Sequence, residues 1–179
     1  MSPGISIIIP TQNGGKIFCE CLDAIGKQGY GDPVQLIVVD SGSTDGTVAC
    51  AEKAGALVQR IAPNDFHHAR TRNQAIPLAV FDRVIFMVQD AVPCSDQWLA
   101  GMVHALKGSE VAAAFAAQIP HVNATAYARF ETESIANARL DAPVIEEIYS
   151  RESFQTIPYD DAYRCIGLDN VCAIYRKEA

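Results

Sequence analysis

The sequence predicts an α/β protein with a doubly wound, mostly parallel central sheet and helices on both faces. Two observations predict this class. The strand candidates are continuously apolar rather than alternating, which is typical of strands buried on both faces, and helix candidates separate them along the chain. In such sheets ligands bind outside the carboxyl ends of the strands, so the residues that follow each strand are the first candidates for a site.

Apolar runs and their boundaries define the elements in order. The predicted strands are residues 5–9, 34–39, 56–61, 84–88, 111–117 and 171–175. The predicted helices are 15–29, which carries an apolar stripe, then a segment opening near Asp45 and closing at Gly55, then 67–80 and 96–106. Ser43 or Thr44 is the predicted N-cap of the second helix. Residues 121–140 are expected to be helical or mobile, and 151–161 to be a loop.

Composition narrows the function classes. The 179 residues fit one domain, and the net charge of −7 argues against a nucleic-acid partner, whose phosphates favour basic surfaces. No apolar stretch approaches the roughly 20 residues that cross a bilayer, and the N-terminus has no basic signal-peptide start, so a cytoplasmic location is expected. The six cysteines lack metal-site spacing and are expected to be free thiols.

Polar residues follow three of the strands. Thr11 and Asn13 follow the first, Asp40 and Ser41 the second, and Asp90 the fourth. The Asp40 carboxylate could accept hydrogen bonds from a nucleobase imide or a ribose hydroxyl, or it could be an ordinary turn or cap residue. Because parallel strands present their carboxyl ends at one edge, these residues are predicted to collect there.

Four stretches carry a resemblance to a known family. They are Ile7–Gly14, Val38–Thr47, Phe66–Asn73 and the pair Gln89-Asp90. Together, in this order, they resemble the inverting glycosyltransferases of family 2, which have the GT-A fold; the likeness covers residues 5–120 and returns at 170–176. The resemblance implies transfer of a sugar from a nucleotide diphosphate donor to an acceptor hydroxyl with inversion. It places Gln89-Asp90 where the family has its metal-binding Asp-x-Asp motif.

The resemblance also implies roles for individual residues. Asp90 would hold Mg2+ or Mn2+ with the diphosphate, weakly without nucleotide, because Val88 replaces the first aspartate of the motif. The implied substrate-binding residues are Thr11, Asn13, Asp40, Ser41, His68, Arg72, Asn73, Gln89 and Asp90. Gln12 stands where the family often has an aromatic residue that stacks on the base. The histidine and the Gln-Asp pair are similar to a rhamnosyltransferase subset, which implies thymidine diphosphate rhamnose as donor.

The general base is not identified. The family's base lies in an acidic motif after the strand that residues 171–175 resemble, and this chain stops at Ala179. Asp160, Asp161 and Asp169 lie upstream without a matching context. We therefore expect a single GT-A-like domain, with a donor-binding half at 1–120 and an incomplete acceptor-side half at 121–179, and little transfer activity.

The alternative of a non-catalytic nucleotide-binding module stays open. A Rossmann-type dinucleotide enzyme is not supported, because Pro-Thr-Gln-Asn-Gly-Gly replaces the Gly-x-Gly-x-x-Gly turn. The expected partners are the nucleotide diphosphate sugar and a saccharide or lipid-linked acceptor. Peripheral membrane association is a further possibility that the sequence does not encode.

Overall fold

The computed structural model describes residues 4–108, 111–140 and 171–177. The chain forms two compact units, one of Met1–Phe115 with Asp169–Ala179 and the other of Ala116–Leu168. The last strand of the sequence thus belongs with the first unit. The roles predicted for residues 1–120 and 121–179 stay predictions.

A six-stranded mixed sheet forms the first unit. Its strands are β1 Ile5–Thr11, β2 Val34–Asp40, β3 Leu57–Arg60, β4 Arg83–Met87, β5 Ala113–Phe115 and β6 Cys172–Arg176. The spatial order is β3-β2-β1-β4-β6-β5, and β1 to β4 are parallel. β6 runs antiparallel to both β4 and β5. The predicted α/β class with a mostly parallel sheet is confirmed.

The helices follow the predicted positions with shorter bounds. They are α1 Gly15–Gly26, α2 Thr47–Lys53, α3 His68–Ala75, α4 Trp98–Ala105 and α5 Ala126–Leu140. α3 was expected to continue to Val80, but Pro77 cannot supply a helical N–H, and a short 3-10 turn, Ile76–Leu78, replaces the rest of it. α5 lies in the second unit, where residues 126–140 confirm the helical alternative.

Both faces of the sheet are buried, as the continuous apolar strands predicted. On one face Ile8, Ile37 and Phe86 pack with Ala75 of α3. The alternate residues of the same strands, such as Ile7 and Ile85, are fully buried too, and the period of two in a strand puts them on the opposite face. The sheet therefore holds the strand ends rigidly, and these ends carry the predicted site.

α1 and α2 are joined by a disulfide between Cys19 and Cys50. The expectation that all six cysteines are free thiols is therefore wrong for this pair. The two cysteines are 31 residues apart in sequence, and no local spacing reveals that two helices bring them together. Cys21 and Cys94 are free, the first buried and the second exposed.

The second unit is described through residue 140. α5 carries exposed Tyr127 and Phe130, and Ile119 and Val122 before it are exposed as well. No described helix of either unit is both long and apolar enough to span a membrane. The loop predicted at 151–161 lies outside the described residues.

Candidate functional site

The site begins where the strand order reverses. From β1 the sheet extends through β2 on one side and through β4 on the other. Such a switch point leaves a crevice outside the carboxyl ends of the two flanking strands. Thr11 is the last residue of β1, and Gln89 follows β4 by two positions.

Gln89 bridges this crevice. Its Oε1 accepts hydrogen bonds from the Thr11 hydroxyl at 2.6 Å and from the Gln12 backbone N–H at 2.9 Å. Its Nε2 donates to the Gln12 carbonyl at 3.4 Å. The ends of β1 and β4 are therefore joined by one side-chain amide.

Asp40 ends β2 and shapes the turn that follows. It is 2% exposed, and its carboxylate accepts from the backbone N–H groups of Gly42 (3.2 Å) and Ser43 (3.1 Å). Gly42 has φ 94°, and a Cβ there would lie 2.8 Å from Pro63 Cγ, so the turn requires glycine. The turn role predicted for Asp40 is confirmed, and its role in binding a ligand stays a prediction; Asp40 also lines a cavity.

The cavity beside Asp40 has a volume of about 490 Å3. Glu52 and Arg60 also line it, and their largely exposed side chains approach each other at 4.0 Å. Pockets of this size accommodate small organic ligands. The cavity opens at the carboxyl edge, because Asp40 and Arg60 are the paired last residues of β2 and β3.

The loops after β1 and β2 are bonded to each other. Asn13 has φ 46°, a left-handed conformation that asparagine tolerates better than most residues. Its backbone N–H donates to Ser43 Oγ at 2.8 Å, and its Oδ1 accepts from the Thr44 N–H at 2.9 Å. Ser43 and Thr44 therefore bind the neighbouring loop, and the prediction that one of them caps α2 is wrong: Gly46 holds that position.

The first turn of α1 is capped from α2. Thr47 Oγ1 accepts from the Gly14 N–H at 2.9 Å, and Asp45 Oδ2 accepts from the Gly15 N–H at 3.2 Å. Hydrogen bonds from the Thr47 hydroxyl and backbone lower the pKa of Asp45 below its ordinary value. The carboxylate is then ionised at neutral pH and favours the positive N-terminal end of a helix.

Asp90 stands at the edge of the crevice. It is exposed, and it has no hydrogen bond or ion pair with another residue in the described part of the chain. Within these same ranges no three His, Cys, Asp or Glu side chains could hold a metal ion. One free carboxylate suits a hard divalent cation only if a ligand supplies further oxygens.

His68, Arg72 and Asn73 line a second cavity, of about 480 Å3, between α3 and the strands β4 and β6. Arg72 Nη1 donates to the His68 carbonyl at 3.2 Å, whereas Nε is buried without a hydrogen-bond partner among the described residues. Burial lowers the pKa of Arg72. No Asp or Glu is among the lining residues of this cavity in the described ranges, so that part of the chain supplies no counter-charge to the guanidinium.

The structure brings together the strand-tip residues of the prediction. Thr11, Ser41 and Gln89 share one hydrogen-bonded network with Gln12, whose Nε2 donates to the Ser41 carbonyl at 3.2 Å. Asn13 bonds instead to Ser43 and Thr44 in the loop after β2. His68, Arg72 and Asn73 line the separate α3 cavity. The sequence analysis missed the structural roles of Asp45 and Thr47, although their place inside the matched second-strand signature was a usable signal. Asp160, Asp161 and Asp169 lie outside the described residues.

Curated proteins similar to this chain include two O-antigen chain rhamnosyltransferases. O-antigen chain rhamnosyltransferase RfbN of Salmonella typhimurium is 33% identical over 160 residues, which are 84% of this chain and 51% of that protein. O-antigen chain rhamnosyltransferase WbaN of Salmonella anatum is 33% identical over 147 residues, 78% of this chain and 46% of that protein. The chain thus spans about half the length of the curated relatives it matches.

Solved structures share the fold. The mannosyltransferase PcManGT from Pyrobaculum calidifontis, in complex with GDP-Man and Mn2+, has a TM-score of 0.62 at 21% identity over 99% of this chain and 46% of its own. Glucosyl-3-phosphoglycerate synthase from Mycobacterium tuberculosis, in complex with Mn2+, UDP and glucosyl-3-phosphoglycerate, has a TM-score of 0.52 at 24% identity over 62% of this chain and 42% of its own. The family model that matches, over residues 6–179, is Glycosyl transferase family 2, and the chain belongs to this family.

Proposed function

We propose that the protein transfers a sugar from a nucleotide diphosphate donor to an acceptor hydroxyl, with inversion and with the help of a divalent metal. One observation carries the proposal: the ends of β1, β2 and β4 meet at the switch point of the sheet, with the Asp40 cavity on one side and Asp90 on the other. This arrangement suits a ligand with a nucleoside at one end and a diphosphate at the other.

The nucleoside would occupy the Asp40 cavity. The Asp40 carboxylate uses its own turn for part of its capacity, but a carboxylate offers about four acceptor positions, and the remaining ones can take a base imide or a ribose hydroxyl. Ser43 and Thr44 line this cavity, and Asn13 holds both of them through hydrogen bonds. Ser41, next to Asp40, is held by its own bond to the Thr11 carbonyl.

The metal, Mg2+ or Mn2+, would be held by Asp90 together with diphosphate oxygens. Its chemistry is to neutralise the negative charge that grows on the leaving diphosphate. The uncommitted, exposed carboxylate of Asp90 supports this assignment. The protein would therefore bind the metal weakly until nucleotide is present.

The α3 cavity would contribute cationic donors to the anionic part of the substrates. Arg72 supports this role because its Nε is buried without a partner in the described ranges and no carboxylate from them lines the cavity. His68 and Asn73 add a ring nitrogen and an amide at the same cavity. A phosphate oxygen would satisfy the guanidinium with charge-assisted hydrogen bonds.

Thymidine diphosphate rhamnose is the proposed donor. The support comes from the two Salmonella relatives, whose names both describe rhamnosyltransferases of the O-antigen chain, and from His68 and the Gln89-Asp90 pair in the sequence. The acceptor would be a saccharide or a lipid-linked saccharide.

Thermal unfolding with nucleotides tests the proposal. Thymidine, uridine and guanosine diphosphates are each added with and without Mn2+, and the melting temperature is recorded. At a hundredfold excess over its dissociation constant, a bound nucleotide stabilises the fold by about 3 kcal/mol and raises the melting temperature by several degrees. Thymidine diphosphate with Mn2+ should give the largest shift.

Asp90→Asn is the matched variant of the same test. It should abolish the part of the shift that depends on Mn2+ and leave the metal-independent part, because Asp40 and its cavity are unchanged. The absence of any shift with all three nucleotides, with or without metal, would contradict the proposed function.

A further inference from the structure

Both polar atoms of the Gln89 side chain form hydrogen bonds with other residues of the protein. Its Oε1 accepts two hydrogen bonds, from the Thr11 hydroxyl and the Gln12 N–H, and its Nε2 donates to the Gln12 carbonyl. A carbonyl oxygen has two lone pairs, so the Oε1 of Gln89 has no acceptor capacity left for a substrate. The direct substrate contact implied by the family resemblance therefore does not fit the acceptor end of this residue.

The bonds of Gln89 continue towards Asp40. The Gln12 side chain donates to the Ser41 carbonyl at 3.2 Å, and Ser41 donates to the Thr11 carbonyl through its N–H (3.0 Å) and its hydroxyl (3.1 Å). Ser41 is bonded covalently to Asp40, as Gln89 is to Asp90. One continuous network thus joins the turn of Asp40 to the segment that presents Asp90.

We infer that Gln89 is a positioning residue that couples the nucleobase side of the crevice to the carboxylate side. The inference rests on the proposed function. With the amide in place, binding of a nucleoside at Asp40 orders the loop after β1, and this loop holds the end of β4 and hence Asp90. Without it, the two sides bind their parts of the ligand independently, and the metal adds less affinity for a nucleoside diphosphate.

The chain supplies a matched control in Gln35. Its Oε1 also accepts from a hydroxyl, that of Ser6 at 2.7 Å, and from a backbone N–H, that of Val80 at 2.9 Å, while its Nε2 donates to the Leu78 carbonyl at 3.0 Å. Gln35 is the second residue of β2. It therefore forms the same kind of bridge at the opposite, amino edge of the sheet.

The experiment measures the dissociation constant of thymidine diphosphate with and without Mn2+ in the wild type, Gln89→Leu and Gln35→Leu. The ratio of the two constants is the gain due to metal. Gln89→Leu should reduce this gain on the order of tenfold, and Gln35→Leu should leave it unchanged while lowering the melting temperature to a similar extent. A loss of melting temperature in both variants with an unchanged gain would show that Gln89 is only structural and would overturn the inference.

Thr11→Val provides a second route, because it removes the hydroxyl at the other end of the 2.6 Å bond with little change of shape. It should reduce the gain due to metal as Gln89→Leu does. The double variant should lose no more of this gain than the more severely affected of the two single variants. Additive losses would indicate that Gln89 contacts the ligand directly, against the inference. A wild type that binds thymidine diphosphate without any gain from Mn2+ would overturn the inference but leave nucleotide binding intact, whereas no nucleotide binding at all would overturn the proposed function as well.

Discussion

Asp40 serves the fold and the proposed site with the same two oxygens. Its carboxylate organises the turn by accepting from Gly42 and Ser43, and it faces the cavity next to that turn. A carboxylate held by backbone N–H groups keeps one orientation before any ligand arrives. Such preorganisation reduces the entropy that binding must overcome.

The buried thiol of Cys21 yields a prediction about chemical reactivity. It donates to the Ala91 carbonyl at 3.3 Å, and burial, with smaller contributions from Cys172 and Asp90, raises its pKa to about 12. At pH 8.5 we expect iodoacetamide to alkylate exposed Cys94 in the native protein while buried Cys21 stays unmodified. The Cys21 thiol remains protonated at this pH, and burial shields it from the reagent. Peptide mapping by mass spectrometry measures each position.

Denatured protein is the control for this labelling, since Cys21 should react there like Cys94. The contribution of Cys21 to the free energy of unfolding should also depend on pH, with a defined sign. The unfolded thiol ionises near 9.0 and the folded one near 12, so the stability from the neutral buried thiol is complete below pH 9 and decreases as the pH rises through that window. Fast native labelling of Cys21 would contradict the buried site. Cys19 and Cys50 should react only after reduction.

At the scale of single residues, the sequence predicts where the site residues lie better than it predicts their hydrogen-bond partners. Thr11, Asp40 and Asp90 could be placed at strand ends because an apolar run and its boundary are local features. The bond between Thr11 and Gln89 spans 78 residues, and no local pattern encodes it. For this reason the sequence analysis predicts that Gln89 binds substrate, whereas in the structure its Oε1 accepts two hydrogen bonds from the protein itself.

At the scale of elements, the start of α1 depends on α2. Gly14, the N-cap of α1, has no side chain to cap the helix, and Thr47 and Asp45 accept from the first N–H groups instead. Each unsatisfied buried N–H costs about 1–3 kcal/mol. The two helix starts and the loop at the crevice therefore form one unit, fixed one turn deeper by the disulfide between Cys19 and Cys50.

Replacing the Thr47 hydroxyl tests this cross-capping. Thr47 is 1% exposed, so Thr47→Val keeps the shape and leaves the Gly14 N–H without its acceptor. We expect a loss of about 1–2 kcal/mol in the free energy of unfolding, measured by urea denaturation at neutral pH. Thr47→Ser retains the hydroxyl and should lose markedly less. A Thr47→Val variant that loses no more than Thr47→Ser would contradict the capping role of the hydroxyl.

At the scale of the whole sheet, local pattern predicted the strands but not all of their directions. β1, β2 and β4 are continuously apolar, which predicted a parallel sheet, and they are parallel in the structure. β6 was predicted as a strand, yet its antiparallel place between β4 and β5 depends on how the chain returns after residue 115, which no apolar run specifies. Strand direction is a property of the connection rather than of the strand.

The position of β6 makes a late segment of the chain essential to the sheet. Ile174 is fully buried between its neighbours Ile85 of β4 and Ala114 of β5, whereas Leu57 on the edge strand β3 is 48% exposed. Ile174→Ala should therefore lower the free energy of unfolding by about 2–5 kcal/mol. Leu57→Ala removes a comparable side chain and should cost about 1 kcal/mol or less. Urea denaturation of both variants measures the difference, and similar losses would mean that β6 does not occupy the interior of the sheet.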